Sequence, residues 1–317
     1  STGNVRYPEK ISCQIAIFVT TLWFFDNNLV SLQTDLSLMD KKSHIILKYS
    51  AIWTFSIIFT LAIAVYQRMT GPTYPVRGEM TIGAQSLRYK LIRTYDGADG
   101  APVKIIAKDT SLRGEITFRR FKSFDKWVTA PMVRRADTLI GTLPHQEPAG
   151  KVMYRVTLMK GDQRYLLNEE IAVLRYKGHV PLIVLIPHII FIFLAMLFST
   201  LTGLMAIFKG KHVYGYAWIT IITLALGGMI FGPIVQKYSF DAFWTGWPFG
   251  NDLTDNKSLI AFLFWIVALL VLRKNRKNRL WPTLAAILLL IVFLIPHSVL
   301  GSEIDYTKTP PNEQVKH

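Results

Sequence analysis

Long, nearly uncharged apolar blocks recur along this 317-residue chain, and they limit its fold more than any motif does. A helix needs about 20 mostly apolar residues to cross the hydrocarbon of a bilayer, where no water satisfies an open backbone. Residues 47–66, 181–208, 213–235, 259–272 and 280–300 meet that requirement, the fourth with Lys257 and Arg273 as snorkelling ends. A sixth run, 11–25, stops at Asp26 and has a length at which spanning and interfacial helices look alike. With 51% hydrophobic and 18% charged residues, a pair of soluble domains is excluded, as are disordered and collagen-like chains. The lone Cys13 excludes an intramolecular disulfide. A net charge of +15 would fit nucleic acid only on a soluble basic surface, so no nucleic-acid partner is expected.

Basic residues concentrate in three short connections: Lys41, Lys42 and Lys48; Lys209 and Lys211; and the run Arg273-Lys274-Asn275-Arg276-Lys277-Asn278-Arg279. An even number of crossings separates each from the next, so all three fall on one side, which the positive-inside rule makes cytoplasmic. The expected fold is a polytopic α-helical membrane protein of five or six transmembrane helices, with an extracytoplasmic antiparallel β-sandwich inserted. Its divisions are an N-terminal membrane region 1–66, the β domain 67–180, a four-helix membrane region 181–300 with an outer Trp-rich loop 236–257, and a tail 301–317. The β domain and C-terminus would lie outside the cytoplasm, across a bacterial-type inner membrane.

In 67–180 the apolar blocks give way to alternation with period two, the mark of half-buried strands. Val152, Tyr154, Val156 and Leu158 form one face, Met153, Arg155, Thr157 and Met159 the other, and Lys160-Gly161-Asp162 turns into a second strand. Six or seven short strands resemble an immunoglobulin or fibronectin sandwich in pattern. The insert is basic, with 20 Lys and Arg against 11 Asp and Glu between Arg68 and Lys177. Arg119, Arg120, Arg134 and Arg135 are candidates for docking an acidic partner protein or lipid headgroups; solvated strand faces are the plainer account.

Five aromatic rings, Phe240, Phe243, Trp244, Trp247 and Phe249, crowd the 236–257 connection, punctuated by Gly246, Pro248 and Gly250. An aromatic belt followed by a helix cap from Thr254 or Asp255 explains most of it, and a ligand-covering loop explains the punctuation better. Two histidines occur in matching words, Leu185-Ile186-Pro187-His188 and Leu294-Ile295-Pro296-His297, each toward the outer end of its segment. An ionisable group inside a span is a functional candidate by default. His188 and His297, with Trp244 and Trp247, are therefore candidate cofactor contacts for haem, copper or iron; proton or quinone contact, and histidines that simply hydrogen-bond between helices, are the other readings. Asp252, Asp255, Glu303 and Asp305 could add oxygen ligands to the same metal, although the spacing is not that of an EF-hand. Gly228 and Gly232 form a Gly-x-x-x-Gly pair suited to close helix approach.

No phosphate loop, nucleophile elbow or covalent haem motif occurs, and the spans carry almost no acidic residue. The chain is expected to be an integral membrane subunit of a larger assembly, redox or energy-converting, with the β domain docking other membrane or periplasmic subunits and an outer-leaflet pocket holding a cofactor, metal or lipid-like ligand. The alternatives are a membrane metallo- or haem enzyme acting at His188 and His297, and a scaffold without ligand.

Overall fold

The computed structural model describes residues 42–83, 85–296, 301 and 303–308. The 11–25 run and His297 lie outside the described residues. The chain divides into a unit ending at Phe55 and a second from Ser56 onward. Helix α1 is Lys42–Thr70. Beyond the β domain come α2 (Leu182–Ile207), α3 (Val213–Leu224), a π-helical segment (Ala225–Phe231), α4 (Gly232–Phe240), α5 (Leu253–Lys274) and α6 (Leu280–Leu294). Counting Val213–Phe240 as one, four helices among the described residues are long and apolar enough to cross a membrane.

Three boundaries depart from the apolar runs, each for a local reason. Helix α5 starts six residues early, because Asp252 caps it with Oδ1 accepting from the Thr254 amide at 2.7 Å. Helix α6 stops at Leu294, since Pro296 forces Ile295 into extended backbone (φ −75°, ψ 115°). Its 15 residues reach about 22 Å at 1.5 Å per residue, less than a bilayer core. Pro187, by contrast, sits inside α2 without ending it. The matching Pro-His words thus open one helix and follow the end of another.

At one end of the bundle the Arg276 guanidinium of the α5–α6 turn lies 3.3 Å from the Tyr214 ring centroid in the first turn of α3. Close packing within the bundle is marked by Gly227 more than by the expected Gly228 and Gly232. A Cβ on Gly227 would lie 2.8 Å from the Ile192 amide nitrogen of α2, so only glycine permits that approach.

Among the described residues eleven strands build the β domain: β1 (Val76–Ile82), β2 (Gln85–Leu91), β3 (Thr94–Tyr95), β4 (Ala101–Ile106), β5 (Arg113–Arg120), β6 (Val128–Pro131), β7 (Val133–Arg135), β8 (Thr138–Leu143), β9 (Lys151–Lys160), β10 (Gln163–Leu166) and β11 (Ala172–Tyr176). The main sheet has the order β3-β11-β9-β5-β6 with β10 on β9; β4-β8-β7 forms a second sheet and β1-β2 a hairpin. All pairs are antiparallel except β3 with β11. Alternation in β9 reads out directly, since Val152, Tyr154, Val156 and Leu158 are fully buried in the core shared with Val103, Ile105, Ile116, Leu139 and Leu143. Gly161 turns β9 into β10 with φ +58°, a left-handed position suited to glycine. Strands β1, β6, β7 and β8 were not anticipated: β6 and β7 are short edge strands without clean alternation.

Register fixes which end of the domain meets the helices. Tyr176 closes β11 six residues before α2, Lys151 pairs with Arg175, and Arg120 pairs with Val152. The start of β9 and the end of β5 therefore lie at the helix end, while the β9–β10 turn lies at the far end.

Candidate functional site

The α4–α5 loop folds around one carboxylate. Asp255, in the first turn of α5, accepts at Oδ2 from the Thr245 amide (2.7 Å) and from Gln236 Nε2 of α4 (3.1 Å). The Thr245 hydroxyl lies 3.3 Å from the same oxygen and 3.2 Å from Asp252 Oδ2, and receives a 2.6 Å bond from Gln236. One residue on, Asn256 Oδ1 accepts from the Trp247 amide at 2.6 Å, and Trp244 Nε1 donates to the Trp247 carbonyl at 3.0 Å. Asp252 and Asp255 are both buried, and each oxygen named here is occupied by a hydrogen-bond donor of the loop or cap. The punctuated loop is thus held in place because the N-cap and first turn of α5 point Asp252, Asp255 and Asn256 into it. The Trp247 ring itself is 70% exposed, as are its neighbours Phe243 and Phe249 in large part.

A buried basic pair flanks this loop. Lys257, expected to snorkel, is only 7% exposed and donates to the Ile295 carbonyl at the end of α6 at 2.8 Å. Arg175 shares the outer face of β11 but is buried, because α4 and the tail cover that corner: its guanidinium lies 5.5 Å from the Phe240 centroid and Nη2 donates to Gly301 O at 3.4 Å. Burial holds the Arg175 guanidinium below its ordinary pKa, against the attraction of Glu303 and Asp252. Beside it the Gly178 amide donates to Ser239 O at 2.9 Å.

Glu303 ties the tail to the β domain by ion pairs to Lys122 and Lys151. Burial pushes its carboxyl up, but hydrogen bonds from Lys122 and Lys151 outweigh this and hold it below the ordinary range. Lys122 is raised by Glu303, whereas burial pulls the more enclosed Lys151 down. Asp305, half-buried, accepts from the Thr307 amide at 3.1 Å and pairs loosely with Lys308 at 3.6 Å.

His188 stands apart from these carboxylates. Its Nδ1 is 2.9 Å from the Gly227 carbonyl at the π segment, and that oxygen also accepts from the Gly232 amide. A carbonyl can only accept, so Nδ1 carries the proton and Nε2 is the nitrogen through which His188 would bind a cofactor or metal. Among the described residues, no group of three or more His, Cys, Asp or Glu could hold a metal ion.

The four candidate arginines do not share one surface. Arg119 and Arg120 sit at the helix end; Arg134 and Arg135 lie at the far end, about 20 Å away at 3.4 Å per residue. Arg120 forms a two-pronged bond to Asp125 (2.6 and 2.9 Å) and covers the Tyr306 ring. Arg134 donates to the carbonyls of Ala107, Asp109 and Leu112 at 2.7, 3.0 and 2.6 Å. Arg119 stacks on Trp127 at 5.0 Å, and Arg135 is exposed. Gln236, Thr245, Asn256, Arg175 and Lys151 escaped the reading of the sequence; a lone Gln in an apolar helix was the one legible signal.

No protein-family model, curated protein or solved structure matches the chain.

Proposed function

We propose that the chain is an integral, multi-pass subunit of a larger assembly in a bacterial-type inner membrane, with its β domain and C-terminus outside the cytoplasm and the outer face of the main sheet docking an acidic partner subunit. The observation that carries the reading is the make-up of that face. By register, Arg113, Arg119 and Arg155 stand there with Glu115 as the acid among the same strand positions, Lys151 being taken up by Glu303, and Trp127, Met153 and Met159 lie among them. The Nε atoms of Arg119 and Arg155 have no hydrogen-bond partner among the described residues, and a docked carboxylate would pair with the terminal nitrogens of these guanidiniums. Aromatic and Met side chains beside arginine are what interfaces favour. The junction through Glu303, Arg175 and Gly178 supplies the rigid mounting such a face needs.

Co-purification from native membranes tests it. Combined replacement of Arg113, Arg119 and Arg155 by Glu is expected to release a partner that wild type retains at low salt and loses at high salt. Arg135→Glu, at the far end, retains it. An unchanged set of partners in the triple variant refutes the docking face, and a reporter fused after His317 that lies in the cytosol refutes the orientation.

A further inference from the structure

The β5–β6 turn, residues 121–127, reads Phe-Lys-Ser-Phe-Asp-Lys-Trp. Its base is held on three sides. Arg120 grips Asp125, the Ser123 hydroxyl donates to Arg120 O at 2.9 Å, and Lys122 pairs with Glu303 of the tail. A turn fixed this firmly nevertheless holds Phe124 out at 85% exposure, and Trp127, at 39%, stays half open under Arg119. These are the β domain's exposed aromatic side chains among the described residues, and both sit in this one turn.

The turn also lies at a particular height. It leaves β5 at Arg120, level with Lys151 and Arg175, where the sheet meets the end of α4 through Phe240 and the tail through Gly301. The α4–α5 loop presents Phe243, Trp247 and Phe249 at that same end. A large apolar ring held in water forgoes the stabilisation of burial, so a braced, outward Phe next to lysines has the composition of a headgroup-level anchor.

We infer that the 121–127 turn rests in the phospholipid headgroup layer, with Phe124 inserted at the acyl boundary, as a second foot of the β domain on the bilayer. The bilayer is the occupant because the turn leaves the sheet at the end that packs on the apolar helix α4. The inference rests on the reading that those helices span the membrane. Lys122 is spent on Glu303, which leaves Lys126 to meet phosphate, while Trp127 flanks the inserted ring in the manner of interfacial tryptophans.

Single-cysteine variants in a Cys13→Ser background test it: Phe124→Cys in the turn, Ile222→Cys on the exposed flank of α3, and Ile106→Cys, 64% exposed at the far end of β4. Each is labelled with an environment-sensitive fluorophore and reconstituted into phosphatidylcholine–phosphatidylglycerol vesicles containing nitroxide-bearing lipid. The labels at 124 and 222 are expected to be quenched and the label at 106 to be untouched; Lys126→Cys repeats the reading of the turn. Labels at 124 and 126 as unquenched as that at 106, with 222 quenched, overturn the inference and leave the spanning helices intact. An unquenched label at 222 overturns both.

Discussion

Replacing Asp255 by Ala should open the α4–α5 loop while leaving the helices in place. Asp255 Oδ2 satisfies the Thr245 amide and the Gln236 side chain, and the carboxylate is buried. Hydrogen bonds to a charged acceptor contribute about 1.5–3 kcal/mol each, and a stranded buried donor costs about 1–3 kcal/mol. Because the Asn256–Trp247 bond and the Asp252 amide to Thr245 carbonyl bond (3.0 Å) remain, the net loss is about 3 kcal/mol of local stability. At 1.4 kcal/mol per tenfold, amide exchange at Thr245 and Trp247 should accelerate by about two orders of magnitude. Asp255→Asn keeps one acceptor oxygen in the same shape and should accelerate it by about tenfold. Hydrogen–deuterium exchange of the protein in lipid nanodiscs reads this directly. Wild-type exchange at Thr245 in Asp255→Ala would refute the view that this carboxylate organises the loop.

The tail clamp should depend on pH. Glu303 has a folded pKa below its ordinary value of 4.5, so its contribution is complete above that value and lost as pH falls through the lower, folded one. Exchange protection of residues 303–308 is therefore expected to hold at neutral pH and to fall on acidification below about pH 4.5, and Glu303→Gln should abolish that dependence. Arg134→Ala, which strands three carbonyls, should destabilise the β domain by about 2–4 kcal/mol and lower its thermal midpoint in detergent by several degrees, whereas Arg135→Ala should change it by less than about 0.5 kcal/mol.

Periodicity was the legible level of this protein. Apolar runs long enough for a bilayer fall on α1, α2, α3 with α4, and α5, and alternation finds β9 because every second side chain points to one core. Both signals are local: they depend on spacing along the chain and on the burial that spacing permits. Helix ends were less legible where a cap or a proline, rather than hydrophobicity, sets them, as at Asp252 and Pro296. Gly227 was adjacent to the recognised small-residue pair, yet only its contact with Ile192 singles it out.

What tertiary structure alone decided is which polar groups meet. Asp252 and Asp255 read as ligands or caps, and packing of α4 against the start of α5 turned them inward to bind Thr245 and Gln236. Four arginines that cluster in sequence are split between the two ends of a sheet, because antiparallel strands carry near neighbours in opposite directions. Lys257, Arg175 and Glu303 are ordinary surface residues by composition, and they are buried or paired because distant segments converge on them. Apolar burial is non-directional and can be read from pattern, whereas a polar group's role depends on one partner at about 3 Å, and that partner can lie 181 residues away, as Glu303 does from Lys122.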